Sequence, residues 1–133
     1  MQAWADRVAI NDVLARFGDG VNQRDATLWA STWHEDARWY LFDDTPTVGR
    51  AAIVAAWQGA LAMFPRAFML VSQGQVVIDG GSAHGRSYCF EVGQTADGRN
   101  VRYFSCYEDD YARRDGVWAF TCRRFRLLHS EDY

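Results

Sequence analysis

The chain has no lysine: its 14 basic residues are all arginine, set against 17 acidic ones, for a net charge of −3. Schiff-base chemistry is thereby excluded, and with it lysine-dependent aldolases and pyridoxal enzymes. A mildly acidic, evenly mixed surface offers no footprint for nucleic acid or an anionic membrane. No stretch approaches the roughly 18 uninterrupted apolar residues of a membrane span. The first six residues lack the basic-then-apolar pattern of a secretory leader. The three cysteines, Cys89, Cys106 and Cys122, form no CxxC pair, and their odd number leaves no complete disulfide set. They read as reduced thiols inside strands, which points to the cytoplasm. His34, His84 and His129 make no HxH or HExxH pattern, so no metal is expected. Without a GxGxxG turn, a Walker sequence or a GxSxG elbow, nucleotide cofactors and serine-hydrolase chemistry are disfavoured; no cofactor is expected.

What remains is rich in core-forming residues. Of 133 residues, 49% are hydrophobic and 15% aromatic, enough for one domain, residues 1–133, around a single core. Ile10, Val13, Leu14 and Phe17 repeat at helical spacing and predict a helix over 4–18, ended by Gly18 and Gly20. Asp25 reads as the N-cap of a second helix carrying Leu28, Trp29, Thr32 and Trp33, with His34 capping its end. A short strand is expected over 37–42 and a loop over 43–49. A third helix carries Ile53, Ala56, Trp57, Ala60 and Leu61 and closes at Pro65. Strands follow over 68–79, 83–94, 100–112 and 117–129, separated by Gly80-Gly81, Ala96-Asp97-Gly98 and Arg113 to Gly116. Helices first and long antiparallel strands last mark an α+β fold.

Several short words in this layout carry a resemblance. They are Arg7 to Leu14, Val21-Asn22-Gln23-Arg24-Asp25, Trp33-His34-Glu35-Asp36-Ala37, Val48-Gly49-Arg50, and Tyr111 to Trp118. In this order and spacing they resemble the SnoaL-like branch of the nuclear-transport-factor-2-like superfamily, which includes scytalone dehydratase, lindane dehydrochlorinase and polyketide cyclases, with ketosteroid isomerase more distant. The resemblance implies a cone: a strongly curved antiparallel sheet with three N-terminal helices packed on its concave face and an apolar pocket at the open end. It also implies no metal or organic cofactor, and a homodimer or homotrimer formed across the outer sheet face.

In the dehydratase and dehydrochlorinase relatives, an Asp after helix one orients a His on the strand after helix three, and the His removes a proton. The resemblance puts Asn22 at the Asp position and Met69 at the His position. An amide does not ionise near neutrality and a thioether is a weak acceptor, so the dyad is expected to be absent. Asn22 is then either a polar hand for a substrate oxygen or a turn residue. Met69 shapes the pocket wall.

On strand 83–94, Cys89 and Glu91 share one face, and Arg86, Tyr88 and Phe90 the other. The resemblance turns the Cys89–Glu91 face inward, where desolvation would raise the Glu91 pKa towards that of a general base. The plainer alternative pairs Glu91 with an arginine such as Arg123. Tyr103, Ser105 and Tyr107 alternate onto one face of the next strand and by resemblance line the pocket, as does Trp39. Arg123, Arg124 and Arg126 are either rim charges meeting Asp109 and Asp110 or an anion hand. The expected catalytic set is Asn22, Glu91 and Tyr103. The expected substrate-binding set is Phe17, Trp39, Phe68, Met69, Cys89, Tyr107, Arg123 and Phe125.

The resulting expectation is a cofactor-independent lyase or isomerase for a small, largely apolar carbonyl, phenolic or polycyclic compound. The alternatives are a non-catalytic small-molecule binding protein, and an oligomeric interaction module using the outer sheet face. The apolar outer residues Tyr88, Phe90 and Phe104 predict a homo-oligomer.

Overall fold

The computed structural model describes residues 2–133; Met1, the first residue of the single-domain reading, lies outside the described residues. Helix α1 (Gln2–Asn22) buries Ile10, Val13, Leu14, Phe17 and Val21 along one side, as their spacing requires. It runs through Gly18 and Gly20, which are not terminators. A Cβ on Gly20 would stand 2.6 Å from the Cβ of Trp29, so glycine is needed there for the close approach of α2 (Ala26–Ala30). Asp25 caps α2 as expected, accepting from the Leu28 N–H at 3.0 Å.

Helix α2 stops after five residues instead of reaching Trp33. Strand β1 (Trp33–Tyr40) begins there because Trp33 pairs with Phe120 of β6 (Val117–Asp132), and the Phe120 N–H donates to the Thr32 carbonyl at 2.8 Å. His34 therefore caps no helix. It is a buried strand residue with Nε2 2.7 Å from the Ala112 carbonyl oxygen.

The expected loop over 43–49 contains the two-residue strand β2 (Thr47–Val48), and helix α3 spans Arg50–Ala62. Strands β3 (Arg66–Asp79), β4 (Ser82–Gln94) and β5 (Asn100–Arg114) follow, joined by the turns the sequence marks. Asp115 and Gly116, both at positive φ (51° and 78°), close the β5–β6 hairpin in the conformation a two-residue turn demands.

All six strands form one curved, unclosed sheet in the order β2-β1-β6-β5-β4-β3. Four pairings are antiparallel, and β1 runs parallel to β6. The core lies between the concave face and the helices. Trp29 stacks on Trp57 at 4.4 Å and 6°, and Phe17, Trp33, Trp39, Tyr107 and Phe120 pack around them.

The start of α1 is pinned to the last hairpin by Asp6. Its buried carboxylate accepts from Trp118 Nε1 at 2.8 Å, from Arg113 Nη1 at 2.9 and 3.1 Å, and from Gln2 Nε2 at 3.0 Å. The Trp118 hydrogen bond, more than any other contact, holds this carboxyl below its ordinary value. No described helix is long and apolar enough to cross a membrane.

Candidate functional site

Strand pairing arranges the concave face in rows, because cross-strand neighbours point the same way. At the mouth stand Met69, Glu91, Tyr103 and Ser130 on β3, β4, β5 and β6. One row deeper come Val71, Cys89, Ser105 and Leu127, and below them Gln73, Ser87, Tyr107 and Phe125. The deepest row holds Asp109, Arg123 and Trp39. Of the residues expected at the site, Met69, Cys89, Glu91, Tyr103, Tyr107, Arg123, Phe125 and Trp39 thus share one face. Phe17 meets them from α1, its ring centroid 6.2 Å from that of Tyr107.

Phe68 does not join them. It is 56% exposed on the convex face, where Leu70 also lies. Alternation fixes this: with Met69 pointing inward, its neighbours must point out.

Asn22 and Met69, the two positions linked by the resemblance, do come together, through the backbone of Met69. Asn22 Nδ2 donates to the Met69 carbonyl at 2.8 Å, and the Met69 N–H donates to Asn22 Oδ1 at 2.7 Å. Strand β3 is a sheet edge, and the amide completes it as a neighbouring peptide group would. Asn22 is therefore neither a turn residue nor a free polar hand. It is a clamp between the last turn of α1 and β3.

Arg123 is fully buried, which corrects both its reading as a solvated rim charge and its reading as an anion hand. Its Nε donates to Asp109 Oδ1 at 2.6 Å, and Nη2 donates to Asp109 Oδ2 at 3.2 Å and to Ser87 Oγ at 2.6 Å. Ser87 Oγ in turn donates to Asp109 Oδ2 at 2.8 Å. The guanidinium lies over the rings of Tyr107 (3.7 Å), Phe120 (4.2 Å) and Phe17 (4.4 Å). Burial works against its charge, yet adjacent Asp109 holds Arg123 above its ordinary value. Nη1 is buried without a hydrogen-bond partner, but a guanidinium with no exposed surface offers nothing to a substrate carboxylate.

Trp39 is likewise a core residue. It is 6% exposed, and its Nε1 donates to the Tyr107 hydroxyl at 3.2 Å. Burial raises the Tyr107 phenol and drives the Cys89 thiol up to about 12, so neither ionises near neutrality.

Glu91 is different. It is only partly buried, and no described side chain makes a hydrogen bond or ion pair with it. Desolvation alone pushes its pKa from an ordinary 4.5 to about 7. The expected alternative, an ion pair with Arg123, does not form. Behind it Ser105 is buried, and its Oγ has no hydrogen-bond partner. Towards solvent, Phe42 packs edge-on against Phe125 at 5.9 Å, and Phe125 against Tyr107 at 5.4 Å. Ser105 is among the residues the resemblance places along the pocket; Phe42, the last residue of the strand expected over 37–42, carries no such mark and lies beyond the end of β1.

Two grooves are present. One, of about 210 Å³, is lined by Leu70, Tyr88, Phe90, Phe104 and Leu128 and also reaches Val71, Cys89 and Ser105; the other, of about 380 Å³, follows the bulge of β3 beside Arg7. Among the described residues, no three His, Cys, Asp or Glu side chains gather as a metal site.

The family model of the SnoaL-like domain matches residues 2–124. A hexachlorocyclohexane dehydrochlorinase, LinA type 2, superposes with a TM-score of 0.91 at 21% identity, covering 98% of this chain and 90% of its own. A scytalone dehydratase-like protein from Novosphingobium aromaticivorans gives 0.88 at 19%, covering 98% and 89%. Rv3472 from Mycobacterium tuberculosis, a protein of unknown function, gives 0.83 at 26%, covering 95% and 73%. No curated protein matches the chain. The first two likenesses, at such low identity, show the fold and leave the reaction to the site.

Proposed function

The chain belongs to the SnoaL-like domain family, and from that premise we propose that it is a cofactor-independent lyase or isomerase acting on a small, largely apolar carbonyl or phenolic compound. Glu91 is the proton acceptor. One observation carries this reading: among the described residues, Glu91 is the carboxylate of the concave face that no side chain pairs, and its burial pushes its pKa up to about 7. That value suits a general base at neutral pH. In this reading the dyad of the family's eliminases is absent, since Asn22 and Met69 replace its members. Tyr103, beside Glu91 in the same row, donates to the substrate oxygen that gains charge. Phe125 and Phe42 supply the apolar wall, and Met69 closes the β3 side. Asn22 serves as a positioning residue for β3.

The test is turnover of phenolic and β-hydroxy-carbonyl compounds by the wild type and Glu91→Gln. Activity should rise with pH to a plateau above about 7, and Glu91→Gln should lose about 100-fold or more. Full activity in Glu91→Gln overturns the assignment. Dyad-type dehydrochlorination by the wild type overturns the placement of Asn22 and Met69.

A second reading has its own observation. The Asn22 clamp on Met69 and the neutralised Arg123 give the dyad positions and the deep cation structural work, which suits a non-catalytic binding protein. Binding without turnover of any panel member would favour it. For assembly, we propose a homo-oligomer through the apolar half of the convex face, where Phe90 and Phe104 stack at 4.7 Å and Phe104 is 41% exposed. Sedimentation of a stable monomer at micromolar concentration would remove it.

A further inference from the structure

The mouth of the cone combines three features: one carboxylate without a counter-ion, an unpartnered buried hydroxyl behind it, and the Tyr103 ring beside it. We propose that this mouth binds amines as ammonium ions, with Glu91 as counter-ion, Ser105 Oγ as a second acceptor, and the ring of Tyr103 as the wall over which the cation lies. The inference rests on the reading that the mouth is the ligand site, and goes beyond it by naming a second ligand class, one that would occupy Glu91 as an ion pair in competition with the carbonyl or phenolic substrate.

The charge balance of the concave face carries the choice. Arg123, its buried cation, is paired with Asp109 and Ser87 through Nε and Nη2, has no exposed surface through which its unpartnered Nη1 could meet a ligand, and lies in the deepest row, three rows from Glu91. Among the described residues nothing charged faces Glu91 from the elements packed around it: β6 presents Ser130 in its row, and Arg24, just beyond α1, is turned to the Leu61 and Phe64 carbonyls. Strand β3 presents Met69, β5 presents Tyr103 and Ser105, and β4 itself presents Cys89. Helix α1 ends in the neutral, already engaged Asn22. Beyond α3, Phe64 lies against Gly93, two residues along β4 from Glu91. A carboxylate or phosphate ligand would meet Glu91 with no cation to offset the repulsion. An ammonium would complete an ion pair in a partly dry site, where charge pairs are worth most. Its N–H groups would use the free Ser105 oxygen, which accepts through two lone pairs. Aromatic faces favour cations over neutral groups of the same shape. Charge, hydrogen bonding and ring electrostatics therefore select the same ligand class.

The test uses three probes with one aromatic body: 2-naphthylmethylamine, 2-naphthylmethanol and 2-naphthoate, titrated calorimetrically into the intact protein. At pH 8 the amine should bind about tenfold or more tighter than the alcohol, and the carboxylate weakest. Amine affinity should rise about tenfold from pH 6 to pH 8, as Glu91 ionises, while alcohol affinity stays flat. In Glu91→Gln the amine should lose its advantage and the alcohol should bind as before, which also shows that the variant is folded. Ser105→Ala should weaken the amine selectively. If the alcohol binds and the amine gains nothing over it, the inference falls and the mouth survives as a ligand site. If the amine keeps its advantage in Glu91→Gln, the counter-ion assignment is overturned. If none of the three binds, both the inference and the site beneath it fall.

Discussion

Two acidic side chains on the same concave face, Asp109 and Glu91, have opposite surroundings. Asp109 is enclosed with Arg123 and Ser87, every contact at 2.6–3.2 Å, beneath the rings of Phe17, Tyr107 and Phe120. Glu91 lies three rows away at the mouth with no polar partner. Desolvation acts in both places. At Asp109 a cation and a hydroxyl answer it; at Glu91 nothing does, and the proton stays on up to about pH 7. A charge paired and sealed from solvent holds a fold together, whereas an unpaired one near solvent is available for chemistry.

This contrast can be broken at either end. The largest effect belongs to the enclosed site. Arg123→Met leaves Asp109 buried without its cation, held only by the Ser87 hydroxyl, and should cost about 3–5 kcal/mol in urea unfolding. Adding Asp109→Leu should recover much of that loss; a cost below about 1 kcal/mol for the single variant would show that the pair is solvated. Next comes Glu91→Gln, which should remove catalysis without harming the fold. Because the folded Glu91 holds its proton to about pH 7 while the unfolded one releases it near 4.5, wild-type stability should decline between those values and level off above. Removing Glu91 abolishes that decline, so melting temperatures of the two proteins should diverge from pH 4.5 to 7 with the variant higher. Parallel melting curves across that range would contradict the bare-carboxylate picture.

Smaller still is the Asn22 clamp. Asn22→Ala uncovers one donor and one acceptor of an edge strand and should cost about 1–3 kcal/mol. Asn22→Asp should cost stability too, because a carboxylate faces the Met69 carbonyl where the amide donated. Thermal melts of both variants decide whether the clamp is structural. The smallest effect is expected at Asp25, whose replacement by Ala removes one helix cap and should cost about 1 kcal/mol.

Most of the architecture was legible because it rests on local chemistry. Asp25 announced its helix, Asp115-Gly116 its hairpin, and the alternation in β4 placed Cys89 and Glu91 together. Errors arose where a distant contact decided the outcome. Gly18 and Gly20 looked like a helix end, but Gly20 is small because Trp29 packs against it. Trp33 fitted a helical pattern until pairing with Phe120, far along the chain, drew it into β1. The run Phe68-Met69-Leu70-Val71 is apolar on both faces, so the sequence shows no alternation there, and only the pairing of β3 turns Phe68 outward. Arg123 in sequence is one of several arginines near a strand end; its burial depends on Asp109 arriving from the neighbouring strand.

The parallel pairing of β1 with β6 sets the order in which the protein can assemble. Trp33 and Trp39 on β1 meet Phe120 and Arg123 on β6, partners about eighty residues apart, and contacts that distant are slow to form. Strands β3, β4 and β5 can zip through successive hairpins, while β1, with the tryptophans it carries, waits for the last strand of the sheet. During synthesis the N-terminal half therefore emerges with Trp29, Trp33, Trp39 and Trp57 uncovered. The tryptophan signal should thus be the last to become native in refolding, and truncations that remove β6 should leave this cluster open to aggregation.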